Sequence, residues 1–505
     1  MTATPGPTLT AHGPRPAADV PTLLAAALLA LALATLVVLA LADVAEAWLW
    51  ITLTAAATLP VVVWYAGRGR LFEPLPVLAA ACALLFLIRP VQLLLEWRDL
   101  YSHFFGVDPI RRIVLLETQE VAAYVTDRLE LPLGVAMARA TAVCAVFTVA
   151  LLAGYKLGVG RWIGRRLERI GTGGAPRNPL AAIVASLAIG LAAEVVIIAR
   201  AGGPVASLES ANKQNALSDS FSLYFLAGFA LAALVVWVAW RAPRTRVEWA
   251  ALIVTVVAVC GFSVLAGSRA RVFVTLLVLG LIVHYLHRRW RARELVLAAV
   301  LMLAFASTFG VFRQVADSSS IGRALELGSE HVLDQRVILN DITSFDHILY
   351  ATTIYGESRP HEHGQFLLDG ARSYVPSAID ANKPEGGDVV FRKAVWGDQF
   401  GAGRPPTAAG DLYIDFGLPG VAAGALLIGI AARSLVGLLA EPGAGRRYRV
   451  ALYAVLLVLL YEFVVGTFSI AVGLALTLLL PFLVAIHGFG RLPSPAGSAF
   501  GRAAE

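Results

Sequence analysis

Two carboxylates, Asp411 and Asp415, stand in the segment Gly403-Arg-Pro-Pro-Thr-Ala-Ala-Gly-Asp-Leu-Tyr-Ile-Asp-Phe-Gly-Leu-Pro-Gly420. Asp411 lies near the start of an apolar run, where a carboxylate suits the positive end of a helix. A carboxylate there could also take a proton from a hydroxyl. His361 and His363 form an H-x-H pair in Arg359-Pro-His-Glu-His-Gly364. In an extended segment both rings share a face, but two ligands alone do not make a metal site. General acid–base chemistry and a plain solvated loop stay open beside metal binding. No metal is expected, and no Cys/His pattern has zinc-ligand spacing, because Cys82, Cys144 and Cys260 all lie inside apolar runs.

Arginines are the other candidates. Arg269 and Arg271 occupy Leu265-Ala-Gly-Ser-Arg-Ala-Arg-Val272, at a tight hairpin between two apolar runs. Paired guanidinium groups grip a phosphate bidentately, or they snorkel to the interface. Arg313 ends a further run, where a cation also suits the helix dipole. Arg89 sits inside a run, in Leu87-Ile-Arg-Pro90, where the proline frees a backbone carbonyl that Arg89 could satisfy. An ionisable group at membrane depth costs roughly 2.5–3.5 kcal/mol on insertion scales. Glu194 and Glu462 are read as facing the bundle interior and hydrogen-bonding locally, with no role assigned.

The elements that position these residues are membrane spans. The chain has 505 residues, 58% of them hydrophobic and only 15% charged, too apolar for a soluble domain to cover its own surface. Runs of about 20 apolar residues repeat from end to end, and about twelve can be placed. The eighth, Val272–His287, is short, and the ninth is Leu295–Val315. The net charge of +6 is carried by arginine clusters in short loops. That is topology encoding, and nucleic acid is not an expected partner. The clusters Arg68/Arg70, Arg161/Arg165/Arg166/Arg169, Arg241/Arg244/Arg246, Arg288/Arg289/Arg291/Arg293 and Arg446/Arg447/Arg449 fall in every second connection from the second to the tenth. The alternation predicts both termini on the cytoplasmic side of the cell membrane. The expected class is therefore an all-α, polytopic transmembrane bundle with a large extracytoplasmic loop before the last three helices. Its parts are a disordered N-terminus (1–20), nine spans (21–316), the loop or cap (317–408), three spans (409–488) and a cytoplasmic tail (489–505). A second outward connection, Trp97–Pro132, contains Ile113–Leu129 with helical apolar spacing.

The order of an outer-loop Arg-Pro, a Thr, and Gly-acid-x-Tyr-x-x-Phe-Gly-x-x-Gly opening a helix resembles the Wzy-type O-antigen and exopolysaccharide repeat-unit polymerases. Leu87-Ile-Arg-Pro, Ala266-Gly-Ser-Arg and the helix layout are similar to that family too. Asp411 and Asp415 depart from its expected Glu and Asn; the first keeps the charge, and the second leaves that residue's part open. The resemblance implies a metal-independent glycosyltransferase with no cofactor, acting on polyprenyl-pyrophosphate-linked oligosaccharides among membrane lipids, with flippase and chain-length regulator proteins as partners. It makes His361, His363 and Asp411 the catalytic candidates. Arg89, Arg269, Arg271, Arg313, Arg404 and Asp415 are then the pyrophosphate- and glycan-binding candidates. An O-antigen ligase shares the layout, and a lipid-linked-oligosaccharide flippase or transporter is the reading from another class. A flippase should spread ionisable residues along several helices, whereas here they gather at the outer face.

Overall fold

The computed structural model describes residues 20–41, 46–96, 133–170, 178–203, 221–265, 269–315, 344–375, 379–396, 406–439 and 445–488. Arg404 and the segment Ile113–Leu129 lie outside the described residues, as do the side chains of Arg269 and Arg313.

Helices in chain order are α1 (Val20–Leu41), α2 (Glu46–Gly67), α3 (Pro74–Glu96), α4 (Leu133–Lys156), α5 (Gly158–Ile170), α6 (Pro179–Arg200), α7 (Phe221–Trp240), α8 (Arg246–Leu265), α9 (Arg269–Leu286) and α10 (Ala292–Val315). Then come three short helices, α11 (Ser344–Ile354), α12 (Gln365–Arg372) and α13 (Gly387–Trp396), followed by α14 (Thr407–Leu435) and α15 (Arg446–Val465). The last, α16, runs Phe468–His487 with a π-helical turn at Ala475–Leu479. Among the described residues, ten helices are long and apolar enough to cross a membrane. Of the twelve expected spans, the eighth appears as the shorter apolar helix Arg271–Leu286 and the ninth lies within α10. The bundle is all-α and polytopic, as the apolar runs require.

Two cores hold it together. One joins α3, α4, α11 and α14 around Phe86, Phe147, Tyr350 and Tyr355; the other joins α7, α9, α15 and α16 around Leu234, Ile282, Tyr453 and Phe482. Between α4 and α14 the backbones touch: a Cβ at Gly154 would strike the Leu426 carbonyl, and one at Gly429 the Leu151 carbonyl. Small residues are what allow such close approach where lipid tails compete with side chains for contact.

The helix α11 belongs to the loop before the last three spans, yet it is not a surface element. Residues Phe345 to Ile354 are all buried, and α11 packs into the first core against α3, α4 and α14. It is a wedge inside the bundle. The helices α12 and α13 then lie on the N-terminal end of α16, with Gly370 against Ser469 and Tyr374 against Gly473.

Candidate active site under the cap

The site is built on the first ten residues of α14. Asp411 and Asp415 are four residues apart, hence on one face and about 6 Å apart along the axis. Both are fully buried. Each carboxylate meets the start of another helix. The Phe468 N–H, at the first position of α16, donates to Asp411 Oδ2 at 2.6 Å. Thr467 caps the same terminus through its Oγ1, which accepts from Ile470 N–H at 3.2 Å. Asp415 takes the N–H groups of Phe366 and Leu367, both at 3.0 Å. These open α12, whose own N-cap residue, Gly364, has no side chain to offer. Unsatisfied N–H groups and the helix dipole make such termini favourable seats for a carboxylate. Asp411 keeps one oxygen, Oδ1, buried without a hydrogen-bond partner.

One turn further on, α14 kinks. Gly417 has φ 63° and ψ −159°, a conformation closed to residues with a Cβ. Pro419 follows and has no N–H to return to the carbonyl four residues back, which is that of Asp415. The non-helical Gly417 also breaks the regular ladder just after Ile414. Two carbonyls are thereby freed, and the H-x-H segment binds them. Glu362 N–H donates to Ile414 O at 3.0 Å and His363 N–H to Asp415 O at 2.9 Å. The Gly-Leu-Pro sequence in the helix is thus what docks the histidine loop.

His361 lies in the bend. Its ring packs edge-on against Tyr413 at 5.4 Å, and its Nε2 is 3.0 Å from the place a Cβ on Gly417 would occupy. Its Nδ1 is buried without a partner. His363 adopts a left-handed φ of 51°, and its side chain is exposed. The structure therefore gathers His361, His363 and Asp415 around one kink, with Asp411 one turn before Asp415 on the same helix.

The two candidate arginines whose side chains are described, Arg89 and Arg271, meet other partners. Arg89 is 3% exposed and its guanidinium faces Asp346 of α11. Nε donates to Oδ1 at 3.0 Å and to Oδ2 at 3.1 Å, Nη2 donates to Oδ2 at 2.7 Å, and Nη1 donates to Gln92 Oε1 at 2.9 Å. This ion pair pins the wedge to α3. Arg271 stacks over the Tyr224 ring at 4.5 Å and lines a cavity with Glu194.

Several partners in this region escaped the sequence reading. Asp346 is one. Asp388 of α13 is another: burial raises its carboxyl above the usual range, against hydrogen bonds from its own and the Val389 backbone N–H and the nearby Arg392 charge. Both Asp388 and Asp415 lie close enough to Asp411 for their charges to repel it. Tyr374 hydrogen-bonds with Ser469 and sits near Arg271 and Asp388, and burial pushes its phenol up to about 12. Among the described residues, no group of three or more His, Cys, Asp or Glu side chains could hold a metal ion.

Ten candidate spans among the described residues, with a buried wedge and short helices packed against them, define an integral membrane protein. The family model for O-antigen polymerases matches residues 123–466, more than half of the chain, and the chain belongs to that family. Membership makes it a membrane enzyme that polymerises repeat units in polysaccharide biosynthesis, with lipid-linked oligosaccharide as its substrate class. No curated protein and no solved structure matches the chain.

Proposed function

We propose that the chain is a metal-independent glycosyltransferase of the cytoplasmic membrane, with both termini in the cytoplasm. It joins polyprenyl-pyrophosphate-linked repeat units into a surface polysaccharide on the outer face. The observation that carries this is the docking of His361-Glu362-His363 onto the carbonyls freed at Gly417–Pro419, beside Asp411 and Asp415 and beneath the cap. A general base must be held at a fixed place relative to the hydroxyl it serves, and backbone pairing to a kinked span does that.

In the reaction, the acceptor sugar hydroxyl of an incoming unit attacks the anomeric carbon of the growing glycan. The bond from that carbon to the pyrophosphate oxygen breaks, and the lipid pyrophosphate departs with the electron pair. The hydroxyl proton goes to a histidine of the pair, with exposed His363 the accessible base and Asp411 the buried carboxylate behind it. Arg271, with Arg269, Arg313 and Arg404, meets the negative charge of the leaving group without a metal. Arg89 serves by seating the wedge, and Asp415 by seating α12. A flippase delivering units and a chain-length regulator are the expected protein partners. The test is deletion of the gene followed by analysis of lipid-linked saccharides. Single repeat units accumulating outside the membrane support polymerisation; finished polymer left on its lipid marks a ligase, and units trapped inside mark a flippase.

A further inference from the structure

A cavity of mixed polar and apolar lining lies between α6, α7, α8, α9 and α16, outside the cluster at the α14 kink. Its walls carry Glu194, Tyr224, Ser263, Arg271, Thr275 and Thr477. Glu194 is 9% exposed, and its Oε2 has no hydrogen-bond partner. The local hydrogen bonding expected for Glu194 does not reach this oxygen.

The hydroxyls define what the cavity takes. Ser263 Oγ donates to Val259 O at 3.0 Å, Thr275 Oγ1 to Arg271 O at 2.7 Å, and Thr477 Oγ1 to Gly473 O at 2.9 Å. A hydroxyl has one proton and two lone pairs. With each proton committed to its own helix backbone, all three hydroxyls can offer the cavity only acceptors. Glu194 Oε2 adds a fourth. Arg271 stands beside them as the cation. Four acceptors, the Tyr224 phenol and one guanidinium, set among apolar residues, suit the edge of a group that is rich in O–H donors and carries an adjacent anion. Phosphate alone fits poorly, since it would bring further acceptors to face Glu194.

Size and place agree. The cavity holds 40 Å³. A water needs about 10–15 Å³ on this measure, so there is room for two or three hydroxyl-sized groups, the edge of a sugar ring. Phe468, whose N–H meets Asp411, and Thr477 stand nine residues apart on α16, about 13 Å along the axis at 1.5 Å per residue. The same helix therefore carries both the reacting end and this cavity. Tyr374 of the cap, against Gly473, roofs the stretch between them.

We propose that this cavity is a saccharide subsite, in which Glu194 and the Ser263, Thr275 and Thr477 hydroxyls accept hydrogen bonds from a sugar edge whose lipid-linked phosphate lies at Arg271. The proposal rests on the polymerase reading and makes Glu194 a specificity-determining residue for it.

The test measures binding to the purified full chain in nanodiscs. One probe is the lipid-linked repeat unit recovered from a strain lacking the gene, and the other is polyprenyl pyrophosphate without sugar. The native protein should hold the saccharide probe at least about tenfold more tightly, the worth of one hydrogen bond to a charged group. Glu194→Ala should bring the saccharide probe down to the affinity of the sugarless one, whose own binding should not fall and so reports an intact fold. Glu194→Gln keeps an acceptor oxygen and should keep much of the preference. Ser263→Ala, a smaller change on another helix, should lower the preference severalfold. An undiminished preference in both Glu194→Ala and Ser263→Ala, or no preference in the native protein, overturns the subsite and leaves the polymerase reading standing. Failure of the native protein to bind either probe, or of the deletion strain to accumulate repeat units, overturns the polymerase reading and the subsite with it.

Discussion

Replacing Asp346 with alanine removes the carboxylate that accepts three of the four Arg89 hydrogen bonds described above. The Arg89 and Asp346 side chains are only 4% and 3% exposed, so water does not take the place of the lost partner. Breaking a buried pair from one side costs about 3–5 kcal/mol, because the remaining charge is left in a low dielectric. That is roughly a 10²- to 10⁴-fold loss in the folding equilibrium. Removing both charges, as Arg89→Met with Asp346→Leu, should recover most of it, since the desolvation penalty disappears with the attraction. The assay is a double-mutant cycle on unfolding of the purified protein in detergent, with polymer formation scored alongside. A single Asp346→Ala variant within about 0.5 kcal/mol of the native protein would refute the claim that this pair holds the wedge. If the double variant is stable and still makes polymer, Arg89 acts by positioning; if it is stable and inactive, Arg89 contacts substrate.

Other variants of the site test the same geometry. Gly417→Ala forces a Cβ into a glycine-only conformation, at a cost of order 1–3 kcal/mol, and presses on His361; polymer yield should fall at least tenfold. Pro419→Ala restores an N–H that competes with His363 for the Asp415 carbonyl, so polymer should fall while thermal stability holds or rises, and an unchanged yield from Pro419→Ala would discard the docking account. Asp411→Asn keeps an oxygen for the Phe468 N–H and should fold normally but make no polymer, whereas Asp415→Ala should lose about 1–2 kcal/mol of stability through the α12 cap; normal polymer from Asp411→Asn would remove that carboxylate from the proton transfer. For Asp388, burial raises the folded-state value, so the folded chain holds a proton that the unfolded chain releases above about pH 4. This contribution to stability is complete below that pH and is lost as pH rises through the raised value. Melting curves across that window should flatten in Asp388→Asn, and an unaltered slope would contradict the assignment.

The helical membrane class was legible because apolar periods and alternating arginine loops are local signals. The carboxylates of α14 and the H-x-H pair were legible as candidates, since their neighbours in sequence already mark them as unusual. What joins them was not. The docking depends on a missing N–H at Pro419 and a glycine-only bend at Gly417, and neither residue shows in sequence what it will bind. The partner of Arg89 stands 257 residues away, on a helix hidden inside what reads as a polar loop. An acid within the apolar stretch Phe345 to Ile354 was the one available sign of it. Glu194 gave no sign of a role, because an orphaned oxygen is defined only by the helices that surround it.

The distance along the chain between Arg89 and Asp346 has a consequence for biogenesis. During synthesis α3 enters the bilayer carrying a bare guanidinium, and its counter-ion emerges only after the described helices α4 to α10 have been made. Until then the nascent chain displays an uncompensated charge among its spans, the kind of feature by which membrane quality control can recognise an unfinished protein. A chain truncated before Ser344 should consequently turn over faster in a pulse-chase than one truncated after His487, and Arg89→Met should slow the decay of the shorter form.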